Sequence, residues 1–368
     1  MRTLFCGNMA NVGYMITRQL REYGHDQFLL MEKNPLPGSD PKNFDLSMGN
    51  EYPNWIIFYD KKKSSWKRDL IQTMRDKQFD LLHTQVELPI FAYLSRRPFL
   101  SHIMGSDLRE LAFSNSLRGI LLRRSYRRSK AVLYGGPGPH SLLSKLKLKN
   151  TLFLPMLHDI SFFKPQTVEN KFNDKFVIFH PANLEWRLKG NEIFIKGFAE
   201  FVKKFPNSLL IIVDRGIDSQ KSHDLVNRLA INENVLFLNG QLNSSELLYY
   251  YNLSDVVADD FVINEIGGIG REALSCEKPL ITLYDELGYQ KLFGEACPAL
   301  NASSVSEIVH KLEFLQDKKT RIKIGKSGRD WIIKHSSPSV FSHKLSIIYD
   351  SIIGKKPLDE IRILLSEI

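Results

Sequence analysis

The chain has 368 residues, 43% of them hydrophobic and 25% charged, a length that suits two domains and a composition typical of an ordered globular protein. Its net charge of +9 is uneven: residues 1–165 hold 25 Lys and Arg against 14 Asp and Glu, and the remainder holds 25 against 27. The asymmetry points to an anionic partner for the first half; the three widely spaced cysteines (Cys6, Cys276, Cys297) make neither a metal cluster nor an even disulfide set and indicate a reducing, cytoplasmic setting.

The N-terminal apolar run is too short for a signal peptide, and the aliphatic run Leu209–Val213 is far too short for a membrane span. Thr3–Cys6 reads as a strand, residues 7–13 as a loop entering a helix through Tyr23, and Gln27–Met31 as the next strand after Gly24. This βαβ opening predicts a parallel sheet. The loop is not a GxGxxG fingerprint. Only Gly7 and Gly13 are glycines, and no acidic residue ends the second strand cleanly, which argues against a dinucleotide-binding dehydrogenase. Residues 34–54 read as loop and Trp55–Tyr59 as a strand. Lys61–Lys63 and Trp66–Arg68 then open a helix; basic residues around a tryptophan suit either a membrane headgroup region or a solvated charge run.

Asp80–His83 ends another strand, with His83 at its carboxyl end, where α/β sheets bind ligands. Phe99–Met104 is the next strand; Asp107 beyond it is either a helix cap or a site residue. Residues 117–130 are helical and carry Arg118, Arg123, Arg124, Arg127, Arg128 and Lys130, so one domain presents a basic surface. Nucleic acid is not the expected partner, because no recognised nucleic-acid module is present. Ala131–Tyr134 is a strand, residues 135–139 a turn, Thr151–Pro155 a strand and residues 156–174 a linker.

Lys175–His180 opens a second series: helix Asn191–Phe205, strand Ser208–Val213, helix Ser219–Leu229, strand Val235–Leu238, helix Ser244–Tyr251. A strand ending in acid, Asp255–Asp260, follows. Next come a turn with Gly267, Gly268 and Gly270, a helix stopped by Pro279, and a buried strand, Leu280–Leu283. Beyond Ser303 the pattern is helical. Glycines at a helix start let a ligand approach the backbone, and the free N–H groups there favour phosphate. Glu265 and Glu272 flank the turn and accept hydrogen bonds from sugar or ribose hydroxyls. Arg187 and Lys189, in the loop after the first strand of this series, lie at the same sheet edge, placed to clamp a diphosphate. The pattern predicts a pocket for something bearing phosphate and hydroxyls, such as a nucleotide sugar. The alternative is an ordinary αβ unit whose glycines serve packing and whose charges are solvated.

Several segments follow one another in a consistent order: Leu154–Asp159 with Phe163-Lys164-Pro165, Arg187 with Lys189-Gly190, Ile211–Gly216, Asn234–Gly240, Ser245–Leu247, Ser254–Val257, and Gly270–Leu274 with Lys278-Pro279. In these the chain resembles the two-Rossmann-domain (GT-B) glycosyltransferases, specifically the large retaining group called family 4. Gly7–Gly13, Asp80–His83 and Gly105–Arg109 match its weaker patterns. The resemblance implies an α/β fold of two Rossmann-like doubly wound domains facing across a cleft. Residues 1–165 would bind the acceptor, residues 166–336 the nucleotide sugar, and residues 337–368 would return to the first domain. It implies transfer of a sugar, with retention, to a lipid- or polysaccharide-linked acceptor, with no cofactor and no essential metal. In the same way it assigns Arg187, Lys189, Glu265 and Asp107 to catalysis. Glu272, Gly267, Gly268, Ile269, Gly270 and Asn264 would surround the donor, and Gly7, Asn8, Asn11 and His83 would face the acceptor. The expected location is cytoplasmic and peripheral on the inner face of a membrane, held by the basic first half.

The chain departs from the family pattern in three places. The first of the family's two glutamates falls at Asn264, one step from Glu265. Its histidine falls at Met104, with His102 two residues earlier, and one residue separates Arg187 from Lys189. Two other readings therefore stay open: a non-catalytic binding or scaffold subunit of the same fold, and a nucleotide-sugar epimerase of the same architecture.

Overall fold

The computed structural model describes residues 1–45, 48–49, 51–169, 171–172 and 175–368, and the chain divides into two units, Met1–Leu157 with Pro338–Ile368, and His158–Ser337. The loops expected over 34–54 and 156–174 include Leu46, Ser47, Asn50, Asn170, Asn173 and Asp174, which lie outside the described residues.

The first unit is built on seven strands: β1 (Arg2–Cys6), β2 (Asp26–Glu32), β3 (Ile56–Tyr59), β4 (Leu81–Gln85), β5 (Phe99–His102), β6 (Val132–Tyr134) and β7 (Thr151–Phe153). They pair in parallel in the order β3-β2-β1-β4-β5-β6-β7. The chain grows outward from β1 on one side and then returns past it, so the topological switch point falls between β1 and β4. Helices α1 (Val12–Glu22), α2 (Trp66–Arg75), α3 (Leu88–Ser95), α4 (Ser106–Arg109), α5 (Leu117–Arg128) and α6 (Pro137–Lys145) make the connections. Alternation along β1 sends Leu4 and Cys6 into one core, with Leu70, Met74 and Phe79. Phe5 goes into the other, with Leu20, Leu29 and residues of the returning helix α15 (Pro338–Ile353). The last helix, α16 (Leu358–Ser366), supplies Ile361 and Leu365 to that second core.

Three expectations change. β2 ends on Glu32, so an acidic residue does close the second strand. Residues 135–139 are more than a turn, because Pro137 opens α6, where its fixed φ and missing N–H suit the first helical turn. Trp66 is no free membrane anchor: its ring packs on Phe91 at 5.6 Å and Tyr59 at 6.3 Å, while the surrounding lysines and Arg68 are exposed.

The second unit carries β8 (Phe176–His180), β9 (Ser208–Asp214), β10 (Val235–Asn239), β11 (Val256–Ala258), β12 (Leu280–Thr282) and β13 (Leu300–Asn301), again all parallel, in the order β10-β9-β8-β11-β12-β13. Its switch point lies between β8 and β11. The helices are α7 (Trp186–Lys189), α8 (Asn191–Lys204), α9 (Ser219–Arg228), α10 (Ser244–Leu253), α11 (Gly268–Ser275), α12 (Glu286–Phe293), α13 (Val305–Phe314) and α14 (Lys318–Ser336). Residues 158–165 belong to this unit rather than to the first. The His158 N–H donates to Ser336 O at 3.0 Å, and Phe162 and Phe163 pack on the core of the second unit. Among the described residues no helix is long and apolar enough to cross a membrane.

Candidate active site

In an open parallel sheet, ligands bind beyond the carboxyl ends of the strands at the switch point. In the second unit that corner is made by the loops after β8 and β11. The loop after β8 forms the single turn α7, closed by Gly190 at φ +65. A Cβ on Gly190 would stand 2.9 Å from Phe261 Cβ, so the turn is pressed onto the loop after β11. Phe261 N–H donates to Lys189 O at 3.0 Å. Lys189 Nζ in turn donates to Asp260 Oδ2 at 2.8 Å. Asp260 is nearly inaccessible, and its other oxygen accepts from the Val262 and Ile263 N–H groups at 2.8 and 2.7 Å. The ammonium is thus fixed in place while its remaining protons stay available. Arg187, on the same turn, is exposed.

His180 ends β8 beneath this pair. Its Nδ1 donates to Ala258 O at 2.9 Å and its Nε2 accepts from Asn191 Nδ2 at 2.9 Å. Burial brings its pKa down to about 4, so the ring is neutral and serves as a strut.

The glycines of α11 have separable roles. A Cβ on Gly270 would meet Ile266 Cγ2 at 2.7 Å and Leu280 Cδ2 at 2.9 Å, so this glycine is required by packing. A Cβ on Gly268 would meet nothing within 4 Å, and that space is open for a ligand to approach the helix start. Asp259 lies beside Gly267 and Gly270 and accepts from the Gly270 N–H; its Oδ1 has no hydrogen-bond partner among the described residues. Burial raises its pKa to about 6. Glu272, one turn into α11, accepts from Tyr251 Oη at 2.6 Å; burial raises its pKa to about 7, with Asp259 adding to the rise and Arg271 and Arg215 opposing it. Glu265 accepts from Tyr289 Oη at 2.5 Å, Asn264 is exposed, and Ile269 packs against the core.

Lys189, Glu265, Glu272 and the glycine turn therefore gather around one corner. In the sequence Asp259 and Asp260 read only as the acidic end of a strand, and nothing sets Arg215 or Arg271 apart. One signal was available: adjacent carboxylates directly after a buried strand need cationic partners or a proton. Among the described residues no group of His, Cys, Asp or Glu is placed to hold a metal ion.

A pH dependence follows from Glu272. Its folded pKa is raised above the ordinary carboxylate value, so the folded state keeps a proton that the unfolded chain has lost. The stability this proton confers is present at low pH and is lost as pH rises from about 4.5 through 7. Between pH 5 and 8 the native protein is expected to lose roughly 1–3 kcal/mol relative to Glu272→Gln. Urea unfolding of both proteins at several pH values checks this, and parallel curves would remove the assignment.

Two first-unit assignments are corrected. His83 is fully buried; its Nδ1 meets Tyr349 Oη at 2.7 Å, its Nε2 meets His102 Nδ1 at 3.1 Å, and its ring lies against Phe5. It ties β4 to α15 and has no face for an acceptor. Asp107 caps no helix, since Gly105 holds that position. Its carboxylate accepts from the Met104 and Gly105 N–H groups at 3.1 and 2.6 Å and from Tyr126 Oη at 3.1 Å. It is only 2% exposed and fixes the Met104–Gly105 turn instead of meeting a substrate. Gly7, Asn8 and Asn11 form the turn after β1, where Asn8 Oδ1 accepts from the Tyr14 N–H at 2.7 Å.

Residues 163–331 match the family described as glycosyl transferases group 1. That match runs along nearly the whole second unit. An uncharacterized glycosyltransferase of Methanocaldococcus jannaschii is 31% identical over 138 residues, which span 36% of this chain and 31% of that protein. The alpha-monoglucosyldiacylglycerol synthase of Acholeplasma laidlawii is 29% identical over 124 residues, 31% of this chain and 28% of that protein. The matched segment thus spans less than a third of either relative. Over both units, the Anabaena protein HepE, solved in complex with UDP-glucose, superposes with a TM-score of 0.75 at 14% identity, covering 95% of this chain and 100% of that one. At that identity the likeness concerns the fold alone: the two parallel-sheet units match the Rossmann-like domains of GT-B glycosyltransferase structures. Within the matched segment, the corner between β8 and β11 is the site to which Lys189, Asp259 and Glu272 belong.

Proposed function

We propose that the protein transfers a sugar, with retention at the anomeric carbon, from a nucleotide-diphosphate sugar to a lipid- or polysaccharide-linked acceptor. The observation that carries this is the grouping of Lys189, Arg271 and the open start of α11 around one switch point, with Glu272 a turn away. The leaving group is a nucleoside diphosphate. Lys189, Arg187 and the helix N–H groups stabilise its growing charge, which needs neither a cofactor nor a metal. Glu272 accepts the ribose hydroxyls, and Glu265 or Asn264 those of the sugar. The likeness to HepE, solved with UDP-glucose, and to the alpha-monoglucosyldiacylglycerol synthase supports a uridine donor and a lipid-linked acceptor.

In the first unit Arg118, Arg124, Arg127, Arg128 and Lys130 are exposed, as are Lys61–Lys63, Lys67 and Arg68. This reading puts them against an anionic membrane surface. Melting curves with UDP-, GDP- and other nucleotide sugars test the donor, since a ligand at a hundred times its Kd stabilises the fold by about 2.7 kcal/mol. The anomeric proton coupling of the product, read by NMR, tests retention. No shift with any nucleotide sugar favours a scaffold, and interconversion of the donor without acceptor favours an epimerase. Equal sedimentation with anionic and neutral vesicles would remove the membrane contact.

A further inference from the structure

The start of α11 already holds an anion of the protein's own. Asp259 follows β11, is 2% exposed, and accepts from the N–H of Gly270, the third residue of the helix. Its Oδ2 lies 3.5 Å from where a Cβ on Gly267 would be and 3.6 Å from one on Gly270, so the carboxyl rests against the first turn. Gly267 stands at the cap position without a side chain to offer. Asp259 thus does from a strand end what a capping side chain does. A buried carboxylate is costly unless a cation answers it, and a strand end free to carry valine would avoid that cost.

The surroundings give Asp259 no cation to itself. Lys189 of α7 is held by the neighbouring Asp260 at 2.8 Å. Arg271 of α11 acts on Asp259 and Glu272 together, and Arg215, after β9, also acts on Glu272. Tyr251 of α10 gives its hydroxyl to Glu272, and His180 of β8 is neutral and held by Ala258 O and Asn191. Asp259 Oδ1 is left with no partner among the described residues. A diphosphate on the same turn would set fixed negative charge beside this carboxylate. At ~4 Å and an effective dielectric of ~20, such a pair repels enough to change an affinity about a thousandfold. The diphosphate cannot shed its charge. The carboxyl can, and its unpaired Oδ1 is the place for the proton.

We infer that Asp259 takes up one proton from solvent when a diphosphate settles on the start of α11, and returns it when the nucleotide leaves; the role given to the diphosphate rests on the proposed transfer reaction. The sign follows from linkage. Burial raises the Asp259 pKa to about 6, with Lys189 opposing and Asp260 adding to the rise, and a bound diphosphate raises it further. The protonated form binds more tightly, so affinity is full below about pH 6 and falls as pH rises through it.

Isothermal calorimetry on the full chain tests this, with UDP-glucose and GDP-mannose as probes at about pH 5.5 and pH 8. Neither ends in a free phosphate, so their own charge is constant over that range. Wild-type affinity for a probe should fall at least tenfold from the lower pH to the higher. Asp259→Asn keeps the cap and lacks the charge, so it should bind at least tenfold more tightly than wild type at pH 8 and equally at pH 5.5. A residue serving only as a cap would give no such gain. At pH 7, in buffers of different ionisation enthalpy, wild type should take up roughly 0.5–1 proton per probe bound. Should Asp259→Asn fail to fold, the same buffers with Glu272→Gln decide: uptake that persists there supports Asp259, and its loss overturns the inference. So would an Asp259→Asn protein that binds no more tightly at pH 8. Binding without a pH slope would sink the proton coupling and leave the donor reading standing, whereas no binding of either probe at either pH would sink both.

Discussion

Lys189→Ala is expected to lower sugar transfer by about 10²–10³-fold, or about 2.7–4 kcal/mol of transition-state stabilisation. The size follows from where the ammonium is held. Asp260 fixes it from below, and Asp260 is itself fixed by the Val262 and Ile263 N–H groups, so the charge is pre-oriented before any ligand arrives. Alanine removes the cation and also leaves a buried carboxylate without its partner, which destabilises the fold. The two effects separate in a double variant. Lys189→Met with Asp260→Asn has no buried charge to strand, so stability should return while transfer stays low. Single-turnover product formation and urea unfolding on both proteins check this. Wild-type rates in Lys189→Ala would remove the lysine from the reaction. Recovery of transfer in the double variant would show that the single variant merely misfolds.

Much of the architecture was legible because parallel strands buried on both faces read as short apolar runs between turn formers. Phe176–His180 and Ser208–Asp214 are such runs, and each fell within a residue of its expected end. Helix α3 was not visible for the matching reason. Leu88–Ser95 is apolar on nearly every side because nearly every side is buried, so it has no polar face to mark a helical period. In the site, the glycine turn and Lys189 could be seen from residue types alone. The partners could not. That Asp260 holds Lys189, or that Tyr251 holds Glu272, depends on which strand ends the sheet order makes neighbours. His83 failed as an acceptor residue for a similar reason. It stands midway along β4, two residues short of the carboxyl end at Gln85, and α15, from the far end of the sequence, covers it.

The other large effect concerns the helix behind the site. Helix α14 crosses the turn between α11 and β12 so closely that a Cβ on Gly325 would stand 1.9 Å from Glu277 O and 2.7 Å from Glu277 C. Glu277 is itself in a left-handed conformation, φ +58, and one turn further along a Cβ on Gly328 would meet Leu274 Cδ2 at 2.7 Å. Arg329 then donates to Ser275 O, which holds the last turn of α11 against α14. Backbone faces backbone here, so no rotamer change relieves an added methyl, and α14 must lift. Gly325→Ala is expected to cost about 3 kcal/mol or more and to lower the melting temperature of the second unit by roughly 6–12 °C. Because α11 carries both Gly268 and Glu272, donor affinity should fall with it. Gly268→Ala supplies the contrast. Its methyl meets open space in the empty protein, so stability should hold, and donor binding alone should weaken if a ligand comes down onto the helix start. Calorimetric melting with and without a nucleotide sugar separates the two. Equal donor-induced shifts in wild type and Gly268→Ala would mean that nothing docks against that turn.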